Sequence, residues 1–303
     1  MPGAPSTHAA QQPAIPTRLQ RQLEEAWGVR QANFDSEIAF ARPSGTLPVS
    51  LTGSDCELDC AHCGGHYLRH MVGLSTALSR APQDRQSYLV SGGCVASTGQ
   101  VPFMEHLDEL SALRRRGRLN FHVGLVGDRE AQALAGLADV VSFDLVGDDR
   151  TIREVLNLDR SVADYERTLH ALQHHVKVVP HILVGLAGGQ IRGEMTAVRI
   201  AARAGCDALV FIVLIPTPGT DFADKTPPHP HAVAELLAAS RQLMPRAALG
   251  LGCMRPAGAY RRVLDPLAVR AGLQSVVMPA PEAVVAAREL GLKAVYTTEC
   301  CVL

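Results

Sequence analysis

Apolar runs alternate with amphipathic stretches along most of this chain. Short runs rich in Val, Leu, Ile and Phe fall near 47–52, 87–91, 119–124, 139–145, 176–184, 207–215, 247–252 and 275–278. Runs of that length and composition predict strands covered on both faces. Between them, helical patterns lie over 103–116, 161–175, 193–204, 231–243 and 281–290. Strand, crossover helix and strand, repeated, predict a parallel sheet. Eight strands at this regularity predict an α/β fold of the (β/α)8 TIM-barrel type, with a partial, six-stranded barrel as the alternative.

Upstream of the first strand, Thr17 can cap a helix running to Trp27. Leu19, Leu23 and Trp27 recur at i, i+4 and i+8 and so share one face, which is expected to pack on the main domain. The expected organisation is a disordered N-terminus over 1–16, a helical extension over 17–44, one barrel over 45–295 and a cysteine-containing tail over 296–303.

Composition narrows the function. The chain has 303 residues, 47% of them hydrophobic, enough for one large core. A formal net charge of −1 offers no basic surplus for nucleic acid or an anionic membrane surface. The longest apolar run, Ala208 to Ile215, suits a buried strand and is too short to span a membrane. The segment Met1 to Pro16 lacks a basic start and an apolar core, so it does not read as a secretory signal. Eight cysteines then point to reduced thiols or metal ligands in a cytoplasmic protein, not to a disulfide scaffold.

Polar and glycine-rich residues recur where each strand ends, the rim at which barrel chemistry gathers. Cys56, Cys60 and Cys63 follow the first strand. Three thiolates on one short loop can hold three irons of a [4Fe–4S] cluster and leave the fourth iron open. A structural zinc site and a disulfide are the alternatives, the former more often built from two ligand pairs. After the second strand come Gly92, Gly93 and Cys94, where two glycines admit a close backbone approach to a ligand or form a tight turn. Ser142 and Asp144 lie on one side of the fourth strand. Asp144 suits a pair of ribose hydroxyls or caps the next turn. Glu194 follows the fifth strand, and Pro216 to Thr220, with Gly219 for close approach, follow the sixth. Arg255, after the seventh, can pair with a carboxylate or a cluster sulfide, or serve as a structural ion pair. Cys300 and Cys301, with Cys253 and Cys94, can ligate a second cluster, or be incidental thiols of a frayed tail.

The loop Cys56-Glu57-Leu58-Asp59-Cys60-Ala61-His62-Cys63 resembles the signature of the radical S-adenosylmethionine (SAM) superfamily, with His62 where an aromatic residue often stands. The segments Ser91-Gly92-Gly93-Cys94, Val184-Gly185-Leu186 with Gly193-Glu194, and Pro216-Thr217-Pro218-Gly219-Thr220 are similar to the biotin-synthase-like branch over roughly residues 45–280. That resemblance implies SAM chelated to the open iron, its ammonium near Gly92 and Gly93, its ribose at Asp144 and Ser142, and its adenine by Pro216 and Gly219. Cys94 stands where the branch often has Glu. The strands at 87–91, 119–124 and 176–184 lack the cysteines that hold a sulfur source in biotin synthase. Together with Pro180-His181-Ile182, Gly252-Cys253-Met254-Arg255-Pro256 and Cys300-Cys301, the segments look like a group of homologues that includes a subunit of the two-protein lipoyl synthase.

The resemblance therefore implies a radical SAM enzyme inserting sulfur into an octanoyl chain on a lipoyl carrier domain. Arg255 and Cys94 are its expected catalytic groups, and Cys253, Cys300 and Cys301 its expected ligands for an auxiliary cluster. A second radical SAM subunit and a low-potential flavodoxin or ferredoxin are its expected partners. A rearrangement or methyl transfer on a small molecule, and a non-enzymatic metal-binding module, remain the alternatives.

Overall fold

Each of the apolar runs forms a strand, and every strand pairs parallel to its neighbours. The computed structural model describes residues 14–79 and 86–303. Its strands are β1 Glu37–Ala41, β2 Thr46–Ser50, β3 Val72–Gly73, β4 Ser87–Ser91, β5 Arg118–Phe121, β6 Val140–Asp144, β7 Val178–Val184, β8 Ala208–Val213, β9 Ala248–Leu251, β10 Ser275–Val277 and β11 Lys293–Thr297. Its α-helices are α1 Thr17–Asn33, α2 Leu74–Ser79, α3 Leu107–Arg114, α4 Asp128–Leu134, α5 Asp149–Val155, α6 Val162–His175, α7 Glu194–Arg203, α8 Pro230–Leu243, α9 Ala259–Arg270 and α10 Pro281–Glu289. The strands make one curled sheet in the order β11-β1-β10-β9-β8-β7-β6-β5-β4-β2-β3. It is open between its edges β11 and β3, so the barrel is partial, but with eleven strands and not the six of the expected alternative.

The segment expected as a helical extension over 17–44 contains both a helix and a strand of the barrel sheet. Helix α1 packs Leu19, Leu23 and Ala26 into the main core and lies on α8 and α9. Strand β1 inserts between β10 and β11. Thirteen of the N-terminal residues expected to be disordered, 1–13, lie outside the described residues. No helix among the described residues is long and apolar enough to cross a membrane.

Strand alternation sorts the side chains into two layers. Leu119, Phe121, Val141, Phe143, Ile182, Val184, Leu209 and Phe211 face outward into the helix layer and join the main core. The inward face has small groups at several positions, among them Thr46, Ser87, Ala208, Gly250, Gly252 and Ser275. Closed barrels fill that space with bulky branched side chains. Here the C-terminal segment fills its lower end. Val302 packs on Val140, Val179 and Val210, with Cys300, Cys301 and Leu303 around it. The same segment ties to the starts of the neighbouring strands: the Gly45 amide donates to Thr298 O at 2.7 Å, the Cys300 amide to Thr46 Oγ1 at 2.8 Å, and Glu299 pairs with Arg118. Residues 296–303 are thus a docked plug with its thiols inside the sheet, not a frayed end.

Candidate active site

The loop after β2 is clamped from three sides. On the first, the Glu57 amide donates to Cys94 O at 3.1 Å and the Ala96 amide to Glu57 Oε2 at 2.9 Å. Gly93 lies so close that a Cβ there would sit 1.9 Å from Asp55 O and 2.5 Å from Cys56 Cα. Its missing side chain admits the cysteine loop itself. On the second side, the end of α5 holds the loop: the Ala61 amide donates to Val155 O at 2.8 Å, and Asn157 Nδ2 donates to Leu58 O at 3.0 Å and Asp59 O at 2.9 Å. On the third, the Phe222 amide donates to Ala61 O at 3.1 Å, and Tyr67 Oη lies 2.9 Å from Thr217 Oγ1. The segments after β2, β4, β6 and β8 therefore meet at one rim.

Burial, with the like charge of Cys56, Cys63 and Cys94, drives the Cys60 thiol far above its ordinary pKa. Burial likewise raises Cys63, and raises Cys94 to about 12 with Cys56 and Asp144 adding to it. Thiols in this setting are poor anions until a cation supplies the missing charge. Among the described residues no three His, Cys, Asp or Glu side chains converge on a single metal ion. An iron–sulfur cluster gives each thiolate its own iron and does not require that convergence. The donor set of soft, mutually repelling thiols fits a cluster for that reason.

Below the rim, His122, Asp144 and His181 line the inner wall. His122 Nδ1 lies 3.7 Å from Asp144 Oδ2, an ion-pair distance beyond a hydrogen bond, and the two imidazole centroids are 5.3 Å apart. The Asp144 side chain is 63% accessible and yet enclosed by protein, which makes it a wall group of an open lumen. Burial alone would raise Asp144, but the His122 ring outweighs it, with help from His181 and His62, and holds the carboxyl below its ordinary value. The same carboxylate outweighs the burial of His122 and holds it above its ordinary value. Burial takes His181 down to about 4, and its Nδ1 contacts Val179 O at 3.0 Å, so that nitrogen carries the proton. His62 also falls to about 4 through burial, and its Nδ1 is buried without a partner.

One level lower, Ser142 is directed away from the rim. Its hydroxyl donates to Asn120 Oδ1 at 2.9 Å, and Asn120 Nδ2 reaches Cys300 Sγ at 3.5 Å. Cys253 is solvent-exposed on the lumen side, within electrostatic reach of both Cys300 and Cys301; the protein enclosing it and the Cys300 charge raise its thiol. The Cys301 thiol, the Val302 amide, His122 and Asn120 together favour one negative charge on the Cys300–Cys301 pair. The six expected ligands thus form two groups: Cys56, Cys60 and Cys63 at the rim, and Cys253, Cys300 and Cys301 in and beside the lumen. Cys94 belongs with the rim group.

The remaining expected residues divide similarly. Gly92 is crowded by Val101 and Thr52, whereas Gly219, with φ +83°, has open space around it. Pro216 is half-buried in the same segment. Glu194 accepts from the Gly185 amide at 2.8 Å through Oε1, and its buried Oε2 has no partner. Arg255 is wholly buried; it grips Asp265 with two hydrogen bonds of 2.8 and 2.7 Å and donates to Gly252 O at 2.6 Å. It takes the structural alternative, joining β9 to α9. Sequence reasoning missed Asn120, His122 and Asn157. Asn157 alone carried a signal, since an Asn just past a helical turn tolerates the left-handed backbone.

No protein-family model and no curated protein sequence matches the chain. Solved structures do. Methylornithine synthase (PylB) is 13% identical with a TM-score of 0.65, over 93% of this chain and 91% of that one. The FeFe-hydrogenase maturase HydG from Carboxydothermus hydrogenoformans is 16% identical with a TM-score of 0.68, over 93% and 73%. Streptococcus suis SuiB bound to S-adenosylmethionine is 12% identical with a TM-score of 0.55, over 83% and 60%. At these identities the likeness is one of fold, and the chemistry rests on the site residues.

Proposed function

We propose that this chain is a radical SAM enzyme. The observation that carries the reading is the rim itself: three thiols on the loop after β2, wedged between the Gly93–Cys94 backbone and the end of α5, on a fold shared with radical SAM proteins. Cys56, Cys60 and Cys63 would hold a [4Fe–4S] cluster. Gly92 and Gly93 would present backbone to the amino-acid end of SAM, Asp144 would accept from its ribose, and Pro216 to Gly219 would flank its adenine. When bound, cluster and SAM supply a 5′-deoxyadenosyl radical able to remove hydrogen from an unactivated carbon. The chain supplies enclosure: an apolar outer layer, a lumen closed below by Val302, and a polar wall in which His122 and His181, beside Asp144, would orient a substrate entering from the rim.

The finer reading is sulfur insertion into an octanoyl chain on a lipoyl carrier domain. Its support is the second thiol group, in which the plug brings Cys300 and Cys301 to the lumen side of the sheet, near Cys253. Cys253, Cys300 and Cys301 would hold an auxiliary cluster whose sulfide the substrate meets. Ser142 and Asn120 would position Cys300 from the opposite wall. A second radical SAM subunit and a flavodoxin or ferredoxin donor complete the scheme.

Anaerobic incubation with an octanoylated carrier domain, SAM and reductant, with and without a second subunit, tests it. Sulfur gained by the carrier, together with iron and sulfide for two clusters per chain, is the expected result. Iron for one cluster and an unchanged carrier would reject sulfur insertion and leave a rearrangement or methyl transfer on a small molecule.

A further inference from the structure

Cys94 has no role in holding the three-thiol loop through its side chain, yet its backbone is bonded to that loop. The Glu57 amide donates to Cys94 O at 3.1 Å, one residue past Cys56. The preceding Gly93 packs on Cys56 Cα. These two contacts fix residue 94 against the ligand loop from the side of β4. The electrostatic neighbours of its thiol are the three thiols of that loop and Asp144. Its sulfur lies beside Gly124, 3.4 Å from where a Cβ there would stand, an ordinary contact distance. Four thiols therefore share one rim, and three of them come from one short loop.

We propose that Cys94 is a reversible fourth ligand of the rim cluster, bound to its open iron when SAM is absent and displaced when SAM arrives. This rests on the reading of Cys56, Cys60 and Cys63 as cluster ligands. The exchange is a ligand substitution without electron transfer. One iron–sulfur bond to Cys94 breaks, and iron bonds to the amino and carboxylate groups of SAM form. The incoming ammonium gives up one proton and the departing thiolate takes one, so the balance closes without an outside acid or oxidant. An iron with three cluster sulfides and no other ligand is readily lost on oxidation. A fourth thiolate tied down by backbone contacts protects it while the enzyme waits for SAM.

The test uses the full chain, reconstituted anaerobically and freed of SAM, exposed briefly to ferricyanide and read by low-temperature electron paramagnetic resonance. The wild-type chain is expected to keep its four-iron cluster, whereas Cys94→Ala is expected to show the signal of a three-iron cluster. Saturating SAM is expected to suppress that signal in Cys94→Ala. Because no thiolate must leave, SAM should bind Cys94→Ala on the order of tenfold more tightly. Cys94→Ser, which keeps the volume, guards against a folding defect and is expected to follow Cys94→Ala. Equal three-iron signals in all three proteins, with unchanged SAM affinity, would overturn the assignment. The triple substitution of Cys56, Cys60 and Cys63 by Ala separates this from the underlying reading: undiminished iron in that variant would reject the three-ligand cluster itself, whereas loss of its iron leaves Cys94 alone on trial.

Discussion

Asn157 and Asp59 face each other across the rim in the same unusual backbone conformation. Their φ angles are +53° and +44°, and the Asn157 side-chain amide donates to Asp59 O at 2.9 Å and to Leu58 O at 3.0 Å. A non-glycine residue there is held at a cost of about 1–2 kcal/mol. The two bonds offset it and fix the turn that places Cys60 and Cys63.

Asn157→Ala should therefore loosen the ligand loop more than it unfolds the barrel. Two lost hydrogen bonds, each worth about 1 kcal/mol, predict a loss of about 2 kcal/mol in denaturant melts. Iron retained through gel filtration should fall by a larger proportion, because the loop is the part released. Unchanged iron in this variant would show that the loop holds its shape without Asn157.

The Arg255–Asp265 pair predicts a different phenotype. Both side chains are fully buried, and Asp265 Oδ2 also accepts from the Ala280 amide at 2.9 Å. Asp265→Ala strands a buried guanidinium and should cost about 3–5 kcal/mol of stability. Arg255→Met should cost much of this too, and the folded fraction should retain SAM binding. A variant of normal stability that fails only in turnover would instead assign Arg255 to the chemistry.

The end of α5 that grips the loop depends on its start. Asp148 caps α5 by accepting from the Thr151 amide at 2.7 Å and from its hydroxyl at 2.6 Å, with Arg192 Nε at 3.1 Å. Burial alone would raise the Asp148 pKa; the Thr151 bonds and the Arg192 charge outweigh it and hold it below its ordinary value. A depressed carboxyl contributes stability that is full above its unfolded value, about 3.9. That contribution is lost as pH falls through the lower folded value. Asp148→Ala should thus lower stability at neutral pH by about 1 kcal/mol and flatten the acid limb of the wild-type curve. Parallel curves for the two proteins would contradict this.

The plug makes a prediction about metal content. Cys300→Ala combined with Cys301→Ala removes two thiols from the lumen while leaving Val302 to pack on Val140, Val179 and Val210. Iron per chain should fall by about half. Cleavage of SAM should persist, because the rim ligands are untouched. Iron that does not fall would make the tail thiols plain packing groups.

Much of the architecture was legible because long apolar runs bounded by turns leave few alternatives. All eight expected strands form, and the helices expected at 161–175, 193–204, 231–243 and 281–290 appear within one or two residues. Strands β1 and β11 went unread since Glu37–Ala41 and Lys293–Thr297 are short and partly charged; their extended form comes from their pairing with each other and from that of β1 with β10. Helix α9 was hidden by Pro266 in its interior. At the site, the three-cysteine loop and its neighbours after β4 and β6 come together as the pattern of strand ends implied. Ser142 and Arg255 are placed by partners that no local pattern announces, Asn120 and Asp265, each supplied by another element. His122 was obscured because a polar residue inside an apolar run reads as an interruption until the curl of the sheet gives it a lumen to face.

The central claim is that Cys56, Cys60 and Cys63 build a centre that cleaves SAM reductively. The most direct measurement is 5′-deoxyadenosine released by the anaerobically reconstituted chain with SAM and a strong reductant. The account predicts its formation by the wild-type protein and none by a Cys60→Ala variant of equal fold. Absence of 5′-deoxyadenosine from a wild-type chain carrying its full iron, or its equal release by Cys60→Ala, would contradict it.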